Sequence, residues 1–600
     1  NGAEEDSQKY LCAYYVSDKE ILINDLKKHL AKNLPYYMIP TYYMKIDAIP
    51  LTPNGKIDRK ALPKIEKDKV MKTRYRKPET EVEKKLAKMW KDILNIKRIS
   101  KDSNFFELGG DSLNVITLLN QIHKSFNVEL TFDNISEMPT LTEMSAHIDS
   151  TKRNAFTPIP VAEKREHYPL LASQKRIYIL SSMENESLNY NMPFALELDG
   201  QADEKKISEI FYKLIERHEA LRTSFNVVNG EPVQIIHDNV SFSISFEDCT
   251  EEGINSFIKK HIRPFKLDKA PLLRVSIAKL SNNKRIMFMD MHHIISDGIS
   301  VITLLNEFSS LYDDNTLPTP TVCYKDYVVW KNSIDLSSQK EYWMQVYNDE
   351  VPVADLHYDF ERPLTQSYYG KKLHFTINKT LSKKINKVVK NNGTTAFTLM
   401  FAAYNILLSK YSGQEDIIVG IPVAGRRHPD IDKMIGMFVN TVALRNKPFG
   451  KKTFIEFLAE VRDNSFKAFE NQDYPFEELV SNLKIPRNLN RNPLFDTMFI
   501  YQKVNSPHFE NKEIHIAQYQ FDSDISKFDI SLEITDMAGE FSFTIEYCTD
   551  LFKHDTIQRM GEHYLNILKS VTDSVEIKIS EIEMLTSYEK NMILHVFNDT

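Results

Sequence analysis

The stretch MHHIISDG, Met291 to Gly298, places two adjacent histidines and a carboxylate where an apolar segment runs into a turn. Residues 285–293 alternate between two sets of side chains, as an extended strand would, so neighbouring residues point to opposite faces. His293 therefore shares a face with three methionines, whereas His292 lies on the other face. The two histidines are expected to have different roles.

The same alternation argues against a metal site. Zinc needs three or four converging ligands, but His292 and His293 point apart, and no cysteine or glutamate nearby completes a set with Asp297. We expect no metal. An isolated histidine pair is more often structural than catalytic, so the rest of the chain has to decide between the two interpretations.

Composition limits the classes of function. With 600 residues, 42% of them apolar, the chain is long enough for several domains with packed cores. A net charge of only -7 indicates neither a nucleic acid nor a membrane surface as partner, and no apolar run has membrane length. Four widely spaced cysteines favour reduced thiols and a cytoplasmic location. The first residues carry no leader pattern, and we expect the chain to be cut from a longer one.

Changes in pattern along the chain predict its division. Residues 1–63 hold a strand-like stretch from Tyr10 to Val16, a helix from Ile21 to Leu34 and a turn-rich end. The predicted boundaries are 1–63 for this incomplete N-terminal part, 64–77 for a basic linker, 78–150 for a small helical domain, 151–166 for a second linker, and 167–584 for a large α/β domain.

The helical domain carries the second chemical signal. Thr80 and Glu83 form a capping box at the start of one helix, and further helices are expected at Ser112 to Phe126 and at about 140–149. Ser112 follows two glycines and an aspartate and begins its helix, where backbone N–H groups and the helix dipole favour an attached phosphate. A plain helix cap is the alternative. Because no base is spaced to activate it, Ser112 is better suited to attachment than to catalysis.

Residues 167–584 mix strands with helices over more than 400 residues, which exceeds one ordinary core. Strands are expected at 194–198, 272–278, 285–292 and 416–421. We predict two lobes, at about 167–340 and 341–584, with a cleft between them.

With these motifs in hand, the chain resembles a nonribosomal peptide synthetase. The segment FFELGGDSL around Ser112 is similar to a peptidyl carrier protein, and residues 167–584 resemble a condensation domain. The motifs of that domain occur in order: ASQKRIY at 172–178, RHEALRTSF at 217–225, MHHIISDG at 291–298, YKDYVVW at 324–330, IPVAGR at 421–426, IGMFVNT at 435–441, DYPFE at 473–477 and RNPLFD at 491–496.

The ends of the chain resemble adenylation domains. Residues 1–63, with PLTPNGKIDRK at 50–60, are similar to the C-terminal α+β part of one, and 585–600 resemble the start of the next. The motif lysine would be Lys56. Since neither adenylation core is present in the sequence, no amino-acid activation is expected from it.

The resemblance implies an all-α carrier bundle beside a two-lobed α/β domain similar to chloramphenicol acetyltransferase. It implies 4′-phosphopantetheine on Ser112, installed by a phosphopantetheinyl transferase, and His293 as the catalytic residue. His292, Asp297, Gly298, Arg217 and Arg222 would shape the site. Asp297 would pair with an arginine, and Arg222 is the first candidate and Arg426 the second.

The implied reaction joins two carrier-bound groups. The amine of an aminoacyl group on a downstream carrier attacks an aminoacyl or peptidyl thioester on the upstream carrier, with both residues L-configured. Neighbouring adenylation and carrier domains of the same synthetase would be partners. Three alternatives stay open: an epimerising domain with the same histidine motif, a free-standing acyltransferase that uses coenzyme A thioesters, and a silent docking module.

Overall fold

A computed structural model gives the fold. The described residues are 12–17, 42–46, 50, 75–94, 96, 98–106, 108, 110, 112–153, 156–183, 188–200, 202–281, 284–353, 355–485, 488–503, 509–510, 514–521, 524–537 and 539–596. The chain forms two compact units, Asn1–Gly109 with Pro139–Asp149, and Gly110–Met138 with Ser150–Thr600.

The first unit contains two short parallel strands and the helix that the capping box predicted. The strands are β1, Cys12–Tyr15, and β2, Tyr42–Lys45. Helix α1, Glu81–Leu94, begins where expected, because the Glu83 N–H donates to the Thr80 hydroxyl (3.0 Å) and the Thr80 N–H donates to the Glu83 carboxylate (3.1 Å). The helix predicted at Ile21 to Leu34, and Lys56, lie outside the described residues.

Three more helices complete the region predicted as the helical domain: α2, Ser112–Phe126; α3, Phe132–Glu137; and α4, Leu141–Ser150. The range of α2 agrees with the prediction, and α4 lies one residue later than predicted. A capping box formed by Thr131 and Asn134 starts α3.

Two six-stranded sheets form the framework of the second unit, with a separate β4–β5 hairpin. The N-terminal lobe contains the order β13-β14-β3-β8-β7-β6, and the C-terminal lobe contains β11-β10-β12-β15-β16-β9. The strands are β3 Asn191–Gly200, β4 Thr223–Val228, β5 Glu231–Ile236, β6 Ser245–Asp248, β7 Leu273–Lys279, β8 Arg285–His292, β9 Gly370–Thr376, β10 Ile417–Val423, β11 Asn440–Asn446, β12 Thr497–Lys503, β13 Phe509–Glu510, β14 Ile514–Gln518, β15 Ile530–Met537 and β16 Glu540–Cys548.

Helices cover both sheets, which makes this unit α/β as predicted. Their ranges are α5 Ala172–Met183, α6 Glu204–Arg217, α7 Ile254–His261, α8 Gly298–Tyr312, α9 Tyr324–Lys331, α10 Ser337–Val346, α11 Lys379–Asn391, α12 Ala396–Ser412, α13 Phe454–Glu470, α14 Phe476–Leu483, α15 His554–Asp573 and α16 Ser587–Asn591. Helix α12 is buried along almost its whole length and forms the centre of the C-terminal lobe.

Strand β8 alternates as its sequence indicated. Met287, Met289 and Met291 pack in the main core of the N-terminal lobe, whereas Ile286 and Phe288 pack in a smaller cluster on the other face of the sheet. Because β8 lies between β3 and β7, its end is held on both sides by ladder hydrogen bonds. The histidine motif therefore follows directly from a rigid central strand.

Two segments of the C-terminal half belong structurally to the N-terminal lobe. Strand β14 pairs antiparallel with β3, and its Ile514 and Ile516 lie in the N-terminal core. Residues 431–438, between β10 and β11, add Ile431, Ile435 and Phe438 to the same core. The two lobes are consequently interlocked, which a single boundary near residue 340 does not describe.

Within the described parts of the chain, no helix is long and apolar enough to cross a bilayer. Three cysteines in these parts, Cys249, Cys323 and Cys548, are free thiols.

Candidate active site

The two histidines at the end of β8 hold opposite tautomers. His293 begins a short 3-10 turn, His293–Ile295, and its Nδ1 lies 2.9 Å from the Ser296 carbonyl oxygen. A carbonyl only accepts, so Nδ1 carries the hydrogen of the neutral ring and Nε2 presents a lone pair. His292 is the reverse, because its Nδ1 accepts from the Ile294 N–H at 3.2 Å.

The surroundings of His292 and His293 also differ. His292 is buried, with the rings of Tyr190 and Phe265 at centroid distances of 6.2 and 5.9 Å. The side chain of His293 is partly open to solvent, and in the portion of the chain described here no protein group hydrogen-bonds its Nε2. His293 thus presents Nε2 as a fixed proton acceptor, whereas the His292 ring is buried and its Nδ1 is occupied by the Ile294 N–H.

Both imidazoles are held neutral. Burial, followed by the positive charge of Lys527, lowers the pKa of His293 to about 4. Burial also lowers the pKa of His292 to about 3, and the charges of His293 and Lys527 add to that effect. A neutral ring at Nε2 is the form that accepts a proton.

This arrangement predicts the titration of the pair. Because an unperturbed imidazole has a pKa of about 6.5, a histidine in an open chain would gain its proton between pH 8 and 5. We expect the His292 and His293 resonances in long-range ¹H–¹⁵N spectra to remain those of neutral rings over this range, one Nε2-protonated and one Nδ1-protonated. A midpoint near pH 6.5 for His293 would contradict the pKa argument.

Asp297 joins the histidine turn to the C-terminal lobe. Its Oδ1 caps α8 by accepting from the Ser300 N–H (2.7 Å), and Arg426 Nη2 donates to the same oxygen (3.1 Å). The Phe438 N–H donates to Oδ2 at 3.2 Å. Only 3% of the Asp297 side chain and 5% of the Arg426 side chain are exposed, so this is a buried ion pair between the lobes.

The prediction of Arg222 as the first candidate partner is wrong, and the second candidate, Arg426, is the observed one. Arg222 instead donates to backbone carbonyls, those of Ile215, Glu216 and His237. Those acceptors lie within sixteen residues of Arg222 in the sequence, so its guanidinium connects the C-terminal end of α6 to the residue that follows β5. Arg426 also donates to the Ile431 and Met434 carbonyls, which fixes the inserted segment 431–438.

Two further predicted residues occupy supporting positions. Arg217 Nε lies 3.1 Å from a Glu307 carboxylate oxygen, and the neighbouring His218 Nε2 lies 2.6 Å from it, which connects α6 to α8. Gly298, the first residue of α8, is exposed, and a Cβ placed on it would meet no heavy atom within 4 Å. Open space therefore borders the backbone beside Asp297.

The family named Condensation domain matches residues 164–594, and the family named Phosphopantetheine attachment site matches residues 84–148. This chain belongs to the condensation-domain family. It is 44% identical over its whole length to gramicidin S synthase 2 of Brevibacillus brevis and 42% identical to tyrocidine synthase 2 of Brevibacillus parabrevis. It spans only 14% and 17% of those synthetases.

A solved structure with the same fold agrees with this family membership. The crystal structure of the X-domain from teicoplanin biosynthesis matches 72% of this chain and all of that domain, with a TM-score of 0.67 and 21% identity. The predicted architecture, a carrier region followed by a two-lobed condensation domain, is confirmed.

A cavity of about 320 Å³ lies between the lobes of the condensation domain. Its walls include Leu171 and Tyr327 from the N-terminal lobe and Asn440 and Asp473 from the C-terminal lobe. The Asn440 amide donates to the Gln472 and Tyr474 carbonyls, at 2.8 and 2.9 Å. Asn440 therefore shapes one wall while its own hydrogen bonds are satisfied.

Lys527 is a charged neighbour of the histidine pair that sequence reasoning missed. It stands shortly before β15 in the C-terminal lobe, and its Nζ lies 5.6 Å from the centroid of the Tyr190 ring in the N-terminal lobe. A lysine just before an apolar strand gives no local signal of such a position. The pairing of the two lobes alone brings it to the histidines.

Ser112 is the first residue of α2, as predicted. The 15-residue helix has no acidic residue in its first turn, and Asp111 directly precedes it in the sequence. The backbone N–H groups of that turn lack helical acceptors and suit a phosphodiester. The phosphopantetheine that the family match implies fits this helix start.

Proposed function

We propose that this chain forms peptide bonds on a nonribosomal peptide synthetase, with Ser112 as the attachment residue and His293 as the catalytic residue. The attached phosphopantetheine would supply a thiol that holds the donor aminoacyl or peptidyl group as a thioester. The observation that carries the proposal is the neutral His293 ring, whose tautomer the Ser296 carbonyl fixes and whose Nε2 is without a protein partner in the described regions.

The chemistry asks little base strength of His293. An α-amine has a pKa of about 8, so a useful fraction of the acceptor is already neutral near pH 7. Its nitrogen turns cationic as it bonds to the donor carbonyl carbon, and it then has to lose a proton. His293 Nε2 is available to accept that proton, and holding the amine by the same hydrogen bond orients the attack.

The other residues hold this geometry. Asp297 and Arg426 fix the turn that carries His293 against the C-terminal lobe. His292 anchors the same turn through the Ile294 N–H. Gly298 leaves the adjoining space open for a substrate arm.

We further propose the partners and the setting. A phosphopantetheinyl transferase would modify Ser112, and flanking adenylation and carrier domains would deliver L-configured aminoacyl thioesters. The free thiols Cys249, Cys323 and Cys548 support a reducing, cytoplasmic setting. The intact histidine motif and the carrier in the same chain favour condensation over a coenzyme A acyltransferase or a silent docking module.

Intact-protein mass spectrometry tests the attachment. Incubation with a phosphopantetheinyl transferase and coenzyme A is expected to add one phosphopantetheine arm to the parent chain. A Ser112→Ala chain is expected to gain no mass, because the sequence GGDS occurs once in the chain and its serine is the first residue of α2. Ser103→Ala is the matched control, and it should load fully. Equal loading of the Ser112→Ala chain would remove the carrier assignment.

A single-turnover assay tests the reaction. The loaded chain, carrying an L-alanyl thioester, is mixed with L-leucyl-pantetheine, and the alanyl-leucyl product is followed by mass spectrometry after chromatography that separates the L,L and D,L diastereomers against synthetic standards. Formation of the L,L dipeptide is the expected result. Appearance of a D-configured residue in the product would favour the epimerising alternative.

A further inference from the structure

The segment that carries Lys527 is anchored firmly in the C-terminal lobe. The Lys527 carbonyl accepts from the Gln366 amide (3.0 Å) and from the Asn492 amide (3.4 Å). The preceding Ser526 N–H donates to the Tyr368 carbonyl (2.9 Å). Two residues after Lys527, Asp529 is ion-paired to Arg362. The backbone of this lysine is thus held in place independently of its side chain.

The side chain extends toward the histidine turn. Its Nζ lies over the Tyr190 ring, 5.6 Å from the centroid, and the Tyr190 carbonyl accepts from the His293 N–H at 2.8 Å. The same ring lies 6.2 Å from the His292 ring. Tyr190 therefore connects Lys527 to both histidines by direct contacts.

The ammonium group lacks a carboxylate partner. Within the residues that the structure describes, no hydrogen bond or ion pair involves Lys527 Nζ, although the side chain is only partly exposed. Burial lowers the pKa of Lys527 and the charge of Glu546 opposes that effect, but Glu546 is itself paired with Lys372 at 3.5 Å. A partly buried cation without a counter-ion is costly to the fold, and such a group is suited to charge that appears only when a ligand reacts.

We propose that Lys527 is the electrostatic stabiliser of the condensation site, and that its ammonium group offsets the negative charge that develops on the donor carbonyl oxygen. The inference rests on the proposed function of His293. It places a residue of the C-terminal lobe, Lys527, at the reacting centre together with His293 of the N-terminal lobe. Lys527 would then stabilise the negative charge on the carbonyl oxygen, while His293 removes a proton from the positively charged nitrogen in the same step.

The proposed step transfers the acyl group from sulfur to nitrogen. The amine nitrogen bonds to the thioester carbon, and the π pair of the carbonyl moves to its oxygen, beside Lys527. His293 Nε2 takes one proton from the nitrogen. The oxygen pair then reforms the carbonyl, the carbon–sulfur bond breaks, and the departing sulfur leaves with the bonding pair and takes up that proton. No oxidant, reductant or metal is needed.

Replacement of the lysine tests the proposal in the same single-turnover assay. Lys527→Met is expected to lower the rate about 100-fold at saturating acceptor, with little change in half-saturating acceptor concentration, because the lost interaction exists only in the transition state. Lys527→Arg, which keeps the charge, should recover most of the rate. Lys384→Met, which removes an exposed lysine of the same lobe, is the matched control and should behave like the parent.

A second readout excludes a merely structural effect. Among the described residues, the charged and titratable groups that interact with His293 are His292, Asp297 and Lys527. Loss of the Lys527 charge should raise the pKa of His293 in the ¹H–¹⁵N titration, whereas Lys527→Arg should leave it low. Lys527→Gln serves if the methionine variant does not fold.

The outcomes separate the two proposals. A Lys527→Met protein as fast as the parent, or a slow one whose His293 titrates as in the parent, would overturn the role of Lys527. A His293→Ala protein as fast as the parent would overturn the proposed function, whatever the lysine variants do.

Discussion

His293→Ala is expected to slow peptide bond formation by about 10²- to 10⁴-fold, the usual contribution of a positioned acid–base group. The reason is specific to one atom. The substitution removes Nε2, the acceptor that the Ser296 carbonyl orients by binding Nδ1, while leaving the turn closed by its backbone bonds. Single-turnover formation of alanyl-leucyl product from the loaded chain measures the effect.

Substitutions of two other histidines serve as controls for this result. His374 is exposed on β9, where its Nδ1 lies 2.9 Å from the Thr544 hydroxyl, so His374→Ala should keep the parent rate. His292→Ala removes the acceptor for the Ile294 N–H, and it should lower the melting temperature as well as the rate. Loss of rate with an unchanged melting temperature is therefore the signature expected of His293 alone.

Asp297→Ala is expected to destabilise the condensation domain by about 3–5 kcal/mol, as removal of one partner from a buried ion pair does. The guanidinium of Arg426 would stay buried without its carboxylate, and α8 would lose the side chain that caps the Ser300 N–H. The free energy of unfolding from urea titration, followed by circular dichroism, measures the change.

A double variant measures the interaction energy between Asp297 and Arg426. Asp297→Ala with Arg426→Leu removes both charges, so it should cost less than the sum of the two single substitutions. Asp573→Ala breaks the exposed pair with Lys384 and should change stability by no more than about 1 kcal/mol. If the two single changes in the free energy of unfolding add up to that of the double variant, the ion pair between positions 297 and 426 does not contribute to stability.

The sequence was sufficient wherever the signal is local. Alternation along 285–293 predicted the two faces of β8, and the spacing of Thr80 and Glu83 predicted the start of α1. Both patterns depend on neighbours within four residues, which the backbone geometry of a strand or a helix relates directly. The ordered family motifs then predicted the domain type.

Long-range pairing was beyond the same reasoning. Asp297 and Arg426 are 129 residues apart, and nothing in the sequence distinguished Arg426 from Arg222 as the partner. Lys527 approaches Tyr190 from the other lobe, and β14 joins a sheet whose other main strands precede it by more than 200 residues. Such contacts depend on how the lobes pack, which no local periodicity encodes.

The strand that crosses between the lobes bears on the engineering of hybrid synthetases. Exchanging the first half of the condensation domain between two enzymes, with the junction near residue 340, would separate β3 from the β14 that evolved beside it. Ile514 and Ile516 would then face a foreign core. Chimeras should fold better when residues 431–438 and 514–518 are transplanted together with the N-terminal half, so that each hybrid keeps its own interlocking pieces.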